Sequence, residues 1–176
     1  MRDDFEWLHR INSDPEVKRY VGGPATREGT GTMMRERIFA YYDANPGLGM
    51  WVTEERATGA PIGFHLLMNI QGETDIQVGY VLDQPFWGMG YATEMCRALL
   101  HYGFTQVRLP RIVAITDLPN VASQKVLLKC GLRRNGERTF SHPAYRGAPL
   151  AWFERDAAQW LAEIFLNPDV ADASNH

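Results

Sequence analysis

The sequence predicts a single mixed α/β (α+β) domain. An antiparallel meander of three strands runs into a strand–helix–strand crossover, and helices cover both faces of one central sheet. Three observations carry this. A chain of 176 residues with 45% hydrophobic content is large enough for one domain with a substantial buried core, and no internal repeat or linker-like change of composition divides it. The stretch from Ile76 to Asp83 alternates Ile76, Val78, Tyr80 and Leu82 with Gln77, Gly79, Val81 and Asp83, the period of a strand, and Pro85 ends it. A helical pattern through Ala92, Met95, Cys96, Leu99, Leu100 and Gly103 follows, and then a second apolar strand, Arg111 to Asp117. Such a crossover returns a strand parallel to the first.

The remaining elements follow in chain order. Phe5, Leu8, Ile11 and Asn12 mark a short amphipathic helix, stopped by Ser13-Asp14-Pro15, which offers an N-cap to a turn over Glu16 to Tyr20. Val21 to Thr32, rich in Gly, Thr and Pro, reads as a loop long enough to wall a site. Thr32 to Ala44 is predicted helical, with Met33, Met34, Ile38 and Tyr41 on one side, until Asn45-Pro46-Gly47 breaks it. Met50 to Glu54 and Pro61 to Ile70 are strands joined by the turn Arg56-Ala57-Thr58-Gly59. Asn120 is placed to cap a helix that Gly131 ends in the left-handed region. Arg133 to Phe140 and Pro149 to Arg155 form a last pair of strands, and Asp156 to Phe165 a terminal helix with a polar tail from about residue 167.

Composition narrows the function. Formal charge is −3, from 18 basic and 21 acidic residues, and no run of like charge stands out, so neither nucleic acid nor a membrane is expected as a partner. Only Cys96 and Cys130 are present, each in an apolar helical context, so two buried reduced thiols are expected rather than a disulfide. There is no signal-peptide pattern and no apolar run of about 18 residues, and a cytoplasmic protein is expected. Scattered histidines without a paired C-x-x-C or H-E-x-x-H argue for no metal. A hydrolase elbow G-x-S-x-G is also missing.

The loop Trp87-Gly88-Met89-Gly90-Tyr91-Ala92 between strand and helix carries the chemistry. Two glycines let the backbone turn tightly and leave amide N–H groups uncovered at a helix start, where the dipole favours a phosphate or pyrophosphate. A Walker loop needs Lys and Ser/Thr after the last Gly, where Tyr91 and Ala92 stand. A dinucleotide fingerprint needs a small residue at Thr93 and an acid near Val107 to Arg111. Neither fits.

With Glu94 and the segment Asn120 to Leu132, this loop resembles the GCN5-related N-acetyltransferases, and within them the branch that acetylates ribosomal-protein N-termini. The resemblance runs from Asp14-Pro15-Glu16-Val17 to about Trp160. It implies that Trp87 to Ala92 cradle the pyrophosphate of acetyl-CoA, with Trp87 in place of the usual Arg or Gln. It also implies that pantetheine pairs with backbone at Val81 and Leu82, and that Asn120 and Ser123 reach the pantetheine arm. Members usually carry a strand before the first helix, and none is read here. The implied activity is direct acetyl transfer to a primary amine in a ternary complex, the amine being a protein N-terminus, an aminoglycoside or a polyamine. A homodimer is an open assembly. No side chain is well placed as a covalent nucleophile.

Acid and base positions depart from the family. Gln77 stands where relatives often carry Glu, and Leu127 where a general-acid Tyr is frequent. Asp75, on the same strand face as Gln77, is then the candidate for water-mediated deprotonation, with Glu73 beside it. Ser141, next to His142 in a late loop, is the candidate that approaches the sulfur or the amine. The same two departures favour the competing reading, a non-catalytic CoA-binding or interaction module of the same fold.

Overall fold

The structure is a computed structural model and describes residues 4–166. The tail from residue 167 lies outside the described residues. Six strands form one mixed sheet in the order β1-β2-β3-β4-β6-β5: β1 Gly49–Glu54, β2 Pro61–Asn69, β3 Ile76–Leu82, β4 Arg111–Asp117, β5 Arg133–Arg138 and β6 Leu150–Asp156. The expected meander is present as antiparallel β1-β2-β3. The expected crossover makes β3 and β4 parallel through α3, Tyr91–Thr105. β6 then inserts between β4 and β5, antiparallel to both.

Both faces of the sheet are covered, which explains why β3 buries Val78 on one side and Val81 on the other. On one face α3, α4 (Val121–Lys129) and α5 (Ala157–Leu166) close a cluster of Leu67, Val78, Leu100, Ile112 and Phe153. α3 sits close because of Gly103, where a Cβ would come within 2.6 Å of Ile112 Cδ1. On the other face α1 (Phe5–Ser13) and α2 (residues 27–44) pack Leu8, Ile11, Met34 and Ile38 onto Met50, Phe64, Met68 and Val81.

The helix α2 corrects the sequence reading. It comprises Arg27–Thr32, a π-helical stretch Met33–Phe39 and Ala40–Ala44 in continuous succession. Half of the expected Val21 to Thr32 loop is therefore helical. Gly29, Gly31 and two threonines are poor helix formers, but the Thr26 hydroxyl caps Gly29 N–H at 3.1 Å, and Thr30 is fully buried with its hydroxyl 3.3 Å from His9 Nδ1. Tertiary packing overrides propensity there. The described residues show no strand before α1, and no helix among them is long and apolar enough to cross a membrane.

Candidate active site

β3 and β4 pair only at Gln77 and Val113 and diverge beyond them, while β4 keeps its full ladder with β6. A cleft of about 950 Å³ occupies the wedge, with Val78 to Leu82 on one wall and Ala114 to Asp117 on the other. Backbone direction on β3 follows from Asp83, whose N–H donates to Ile62 C=O on β2. Because these groups alternate along a strand, those of Val81 face β2, and those of Tyr80 and Leu82 face the wedge. Of the two residues expected to pair with pantetheine, only Leu82 thus presents its backbone, joined by Tyr80, and Val81 contributes its side chain. The Leu82 carbonyl already accepts from Trp87 Nε1 at 2.7 Å, so its N–H and the Tyr80 amide are what the wedge offers.

The glycine loop closes one end. Gly88 and Gly90 have φ of +76° and +94°, a region that costs other residues about 1 kcal/mol or more. A Cβ on either would meet nothing of the protein within 4 Å. Both glycines therefore answer to backbone shape, and the space above them is open. Gly90 caps α3 without a side chain; Thr93 and Glu94 N–H donate to its carbonyl, and the N–H groups of Tyr91 and Ala92 are left toward the cleft. The loop is anchored from behind: Asp83 pairs with Arg10 and accepts Gln84 N–H at 3.0 Å, and Gln84 Nε2 donates to Asp14 at 2.7 Å. Met89 points out and is exposed.

At the neighbouring helix, Asn120 Oδ1 accepts Ser123 N–H at 3.1 Å, the cap expected from sequence, which leaves the Asn120 amide NH₂ for a ligand. The Ser123 hydroxyl lies 3.1 Å from the Tyr80 hydroxyl, which also donates to the Ser123 carbonyl. Burial holds the Tyr80 phenol well above its usual range, so it stays protonated.

Gln77 is buried in the cleft. Asp75 and Ser141 are not among the described residues that line it. Asp75 is held by Arg111 at 2.6 Å and faces Arg138 at 3.8 Å, at the strand end where the sheet is still paired. Ser141 is exposed. What sequence reasoning missed is the end of the cleft away from the glycine loop, where Lys18, Arg37, Gln71 and Tyr145 meet from four distant segments. Tyr145 OH accepts Gln71 N–H at 2.9 Å. Burial, then the charge of Arg37, lowers the Lys18 ammonium to about 8. The only sequence cue was a pair of cations beside apolar positions, Lys18 after Val17 and Arg37 before Ile38.

The acetyltransferase (GNAT) domain family matches residues 1–133, and the chain belongs to that family. It is similar to the uncharacterized N-acetyltransferase YoaA of Bacillus subtilis, at 31% identity over 76% of either chain. Its fold is like that of a GNAT-family acetyltransferase from Bacillus anthracis, with a TM-score of 0.71 and 25% identity over 90% of this chain and 92% of that one. A spermidine N-acetyltransferase from Vibrio cholerae, solved with CoA and spermine, shares the fold at a TM-score of 0.72 and 16% identity, over 92% and 94% of the two chains.

Proposed function

We propose that this protein transfers acetyl from acetyl-CoA to a primary amine, on a protein N-terminus or a small molecule, by direct attack in a ternary complex. The observation that carries the reading is the wedge where β3 has lost β4 as a neighbour and runs into the glycine loop. Acetyl-CoA supplies the acyl group as a thioester. Gly88 to Ala92 hold its pyrophosphate through backbone N–H groups and the α3 dipole. Leu82 N–H and the Asn120 amide take the pantetheine arm, as an added strand would be taken. Tyr80 N–H donates to the carbonyl oxygen, where a fixed donor favours developing negative charge.

In balance, a carbon–nitrogen bond replaces the carbon–sulfur bond, the nitrogen gives up one proton and the leaving sulfur takes one. Asp75 is committed to Arg111 and lies outside the cleft, which leaves Asp117, on the β4 wall with its carboxyl raised by burial, as the carboxylate that lines the wedge. Lys18 and Arg37 make a base less necessary. Positive charge beside an amine disfavours its ammonium form, so the acceptor is held neutral. Buried Gln77 orients a water or the amine at the root of the wedge.

The test is release of CoA thiol from acetyl-CoA by the purified chain with a panel of primary amines. Turnover with acceptor-dependent rates supports the reading. Tight CoA binding without turnover on any amine, peptide N-termini included, assigns the protein as a non-catalytic CoA-binding module.

A further inference from the structure

The cleft wall carries five cationic side chains, Lys18, Arg19, Arg37, Lys129 and Arg146, against two acids, Glu16 and Asp117. The acids do not serve the acceptor end. Glu16 is exposed and paired with Arg19 at 3.1 Å. Asp117 lies at the C-terminal end of β4, where burial raises its carboxyl and the charge of Arg146 only partly offsets this, and the Arg146 guanidinium donates to the Gly22 carbonyl. Lys129 is exposed, so Lys18, 9% exposed, and Arg37 remain. Among the described residues neither has a carboxylate within ion-pair distance.

Their surroundings are apolar. Met33, Ile38, Met50 and Met68 line the same end. Burial is the first cause lowering both the Lys18 ammonium and the Arg37 guanidinium, and Tyr145 and Tyr41 offset it only for Arg37. Two like charges withdrawn from water side by side are costly unless an anion compensates them, and unlike a structural ion pair this arrangement leaves the compensating charge to a ligand. A polycationic amine would add to the repulsion.

Resting on the acetyl-transfer reading, we infer that the acceptor amine carries its own anionic group, a carboxylate or a phosphate, bound between Lys18 and Arg37 with the amine turned toward the β3–β4 wedge. The Arg37 fork suits either oxyanion bidentately and Lys18 adds a point charge. Tyr145, held by Gln71 N–H, keeps Arg37 from folding away from the cleft.

The experiment compares amines that differ only in the anion: amino acids against their amides, and aminoalkyl phosphates against the matching amino alcohols, with spermidine as the cationic arm. Initial rates of thiol release from acetyl-CoA are measured on the full chain. The anionic member of a pair is expected to have at least ten-fold higher kcat/KM, and the carboxylate and phosphate arms decide which group is bound. Arg37→Met and Lys18→Met, with Arg37→Gln and Lys18→Gln in case a Met variant fails to fold, should bring that ratio near one through KM, and Arg37→Lys should keep part of it. Equal use of amides and spermidine, or a ratio that survives all four neutral variants, overturns the inference.

A readout without turnover is the thermal midpoint of the CoA-loaded protein in succinate or inorganic phosphate. A rise in wild type that Lys18→Met and Arg37→Met abolish is expected, and no rise in wild type counts against the site. If anions stabilise the protein through these two residues yet no amine is acetylated, the acetyl-transfer reading fails alone. If acetylation proceeds with no anion preference and no stabilisation, the anion site fails alone.

Discussion

A cation kept for a ligand costs the free protein stability, and Lys18 lets that cost be measured. Replacing it by Met keeps most of the aliphatic stem in place beside Val17 and removes the charge. The ammonium is lowered from 10.5 to about 8, chiefly by burial, and a displacement of that size corresponds to about 3 kcal/mol at most. The sign follows from proton binding. Between pH 8 and 10.5 the unfolded chain holds a proton on Lys18 that the folded chain has lost, so wild-type stability rises with pH across that window, and the full penalty stands below pH 8. Lys18→Met should therefore be more stable than wild type at pH 7 by about 1–3 kcal/mol. That is a gain of roughly 3–9 °C in Tm for a domain of this size. The gain should shrink steadily above pH 8 and vanish near pH 10.5. Urea unfolding followed by circular dichroism at pH 7 and pH 10, without ligand, measures both parts. A variant no more stable than wild type at pH 7, or equally favoured at the two pH values, refutes the argument that Lys18 is buried as an uncompensated charge.

Three further outcomes are expected. Gly90→Val forces a branched residue to φ +94° in space the protein leaves open, so acetyl-CoA should bind more than ten-fold more weakly, about 1.4 kcal/mol; unchanged affinity in a calorimetric titration of the folded variant removes the cradle assignment. Asn120→Ala should lose ~1 kcal/mol with the cap to Ser123 N–H, whereas Asn120→Ser should keep it; acetyl-CoA affinity should fall in both, since both lack the amide NH₂, and recovery of affinity in Ser would leave Asn120 a cap only. His65 is fully buried against Thr53, and burial lowers its imidazole to about 3. The unfolded chain then binds a proton there that the folded chain refuses, so stability is complete above pH 6.5 and falls by up to about 1.4 kcal/mol per pH unit as pH drops from 6.5 toward 3. His65→Gln should flatten the slope between pH 6.5 and 5 in urea titrations, and an unchanged slope would assign it to other groups.

How much of the molecule was legible depended on how local each feature is. The alternation over Ile76 to Leu82, the stop at Pro85 and the helical spacing from Ala92 to Gly103 encode β3, its turn and α3 within about thirty residues, because each rests on period and on backbone chemistry. The Asn120 cap and the positive φ of Gly131 were readable for the same reason. The first half of α2 was not, since its order comes from Thr30 buried against α1 and not from propensity. Nor was the commitment of Asp75. Period two puts Asp75 on the face of Gln77, but only the fold brings Arg111, 36 positions away, to its carboxylate.

This difference bears on how acceptor choice arises. The proposed cofactor end is built from one continuous stretch, β3, loop and start of α3, with Asn120 added, and the groups it would offer are largely main-chain N–H, which side-chain substitution leaves in place. The acceptor end is assembled from Lys18, Arg37 and Tyr145 on a turn, a helix and a late loop, and all of its polarity is in side chains. Replacing Lys18 or Arg37 removes a desolvated charge, which stabilises the fold, and it leaves Gly88, Gly90 and the splayed strands untouched. A charge removed without loss of stability is open to change, so keeping both cations in an apolar chamber requires a ligand whose anion makes them useful. The acceptor specificity of this chain should therefore be alterable at Lys18 and Arg37 while acetyl-CoA affinity stays constant. Titrating acetyl-CoA into Lys18→Met and Arg37→Met checks this: a matching loss of cofactor affinity would mean that the two ends of the cleft are coupled, and that the two cations act on the whole cleft and not on the acceptor alone.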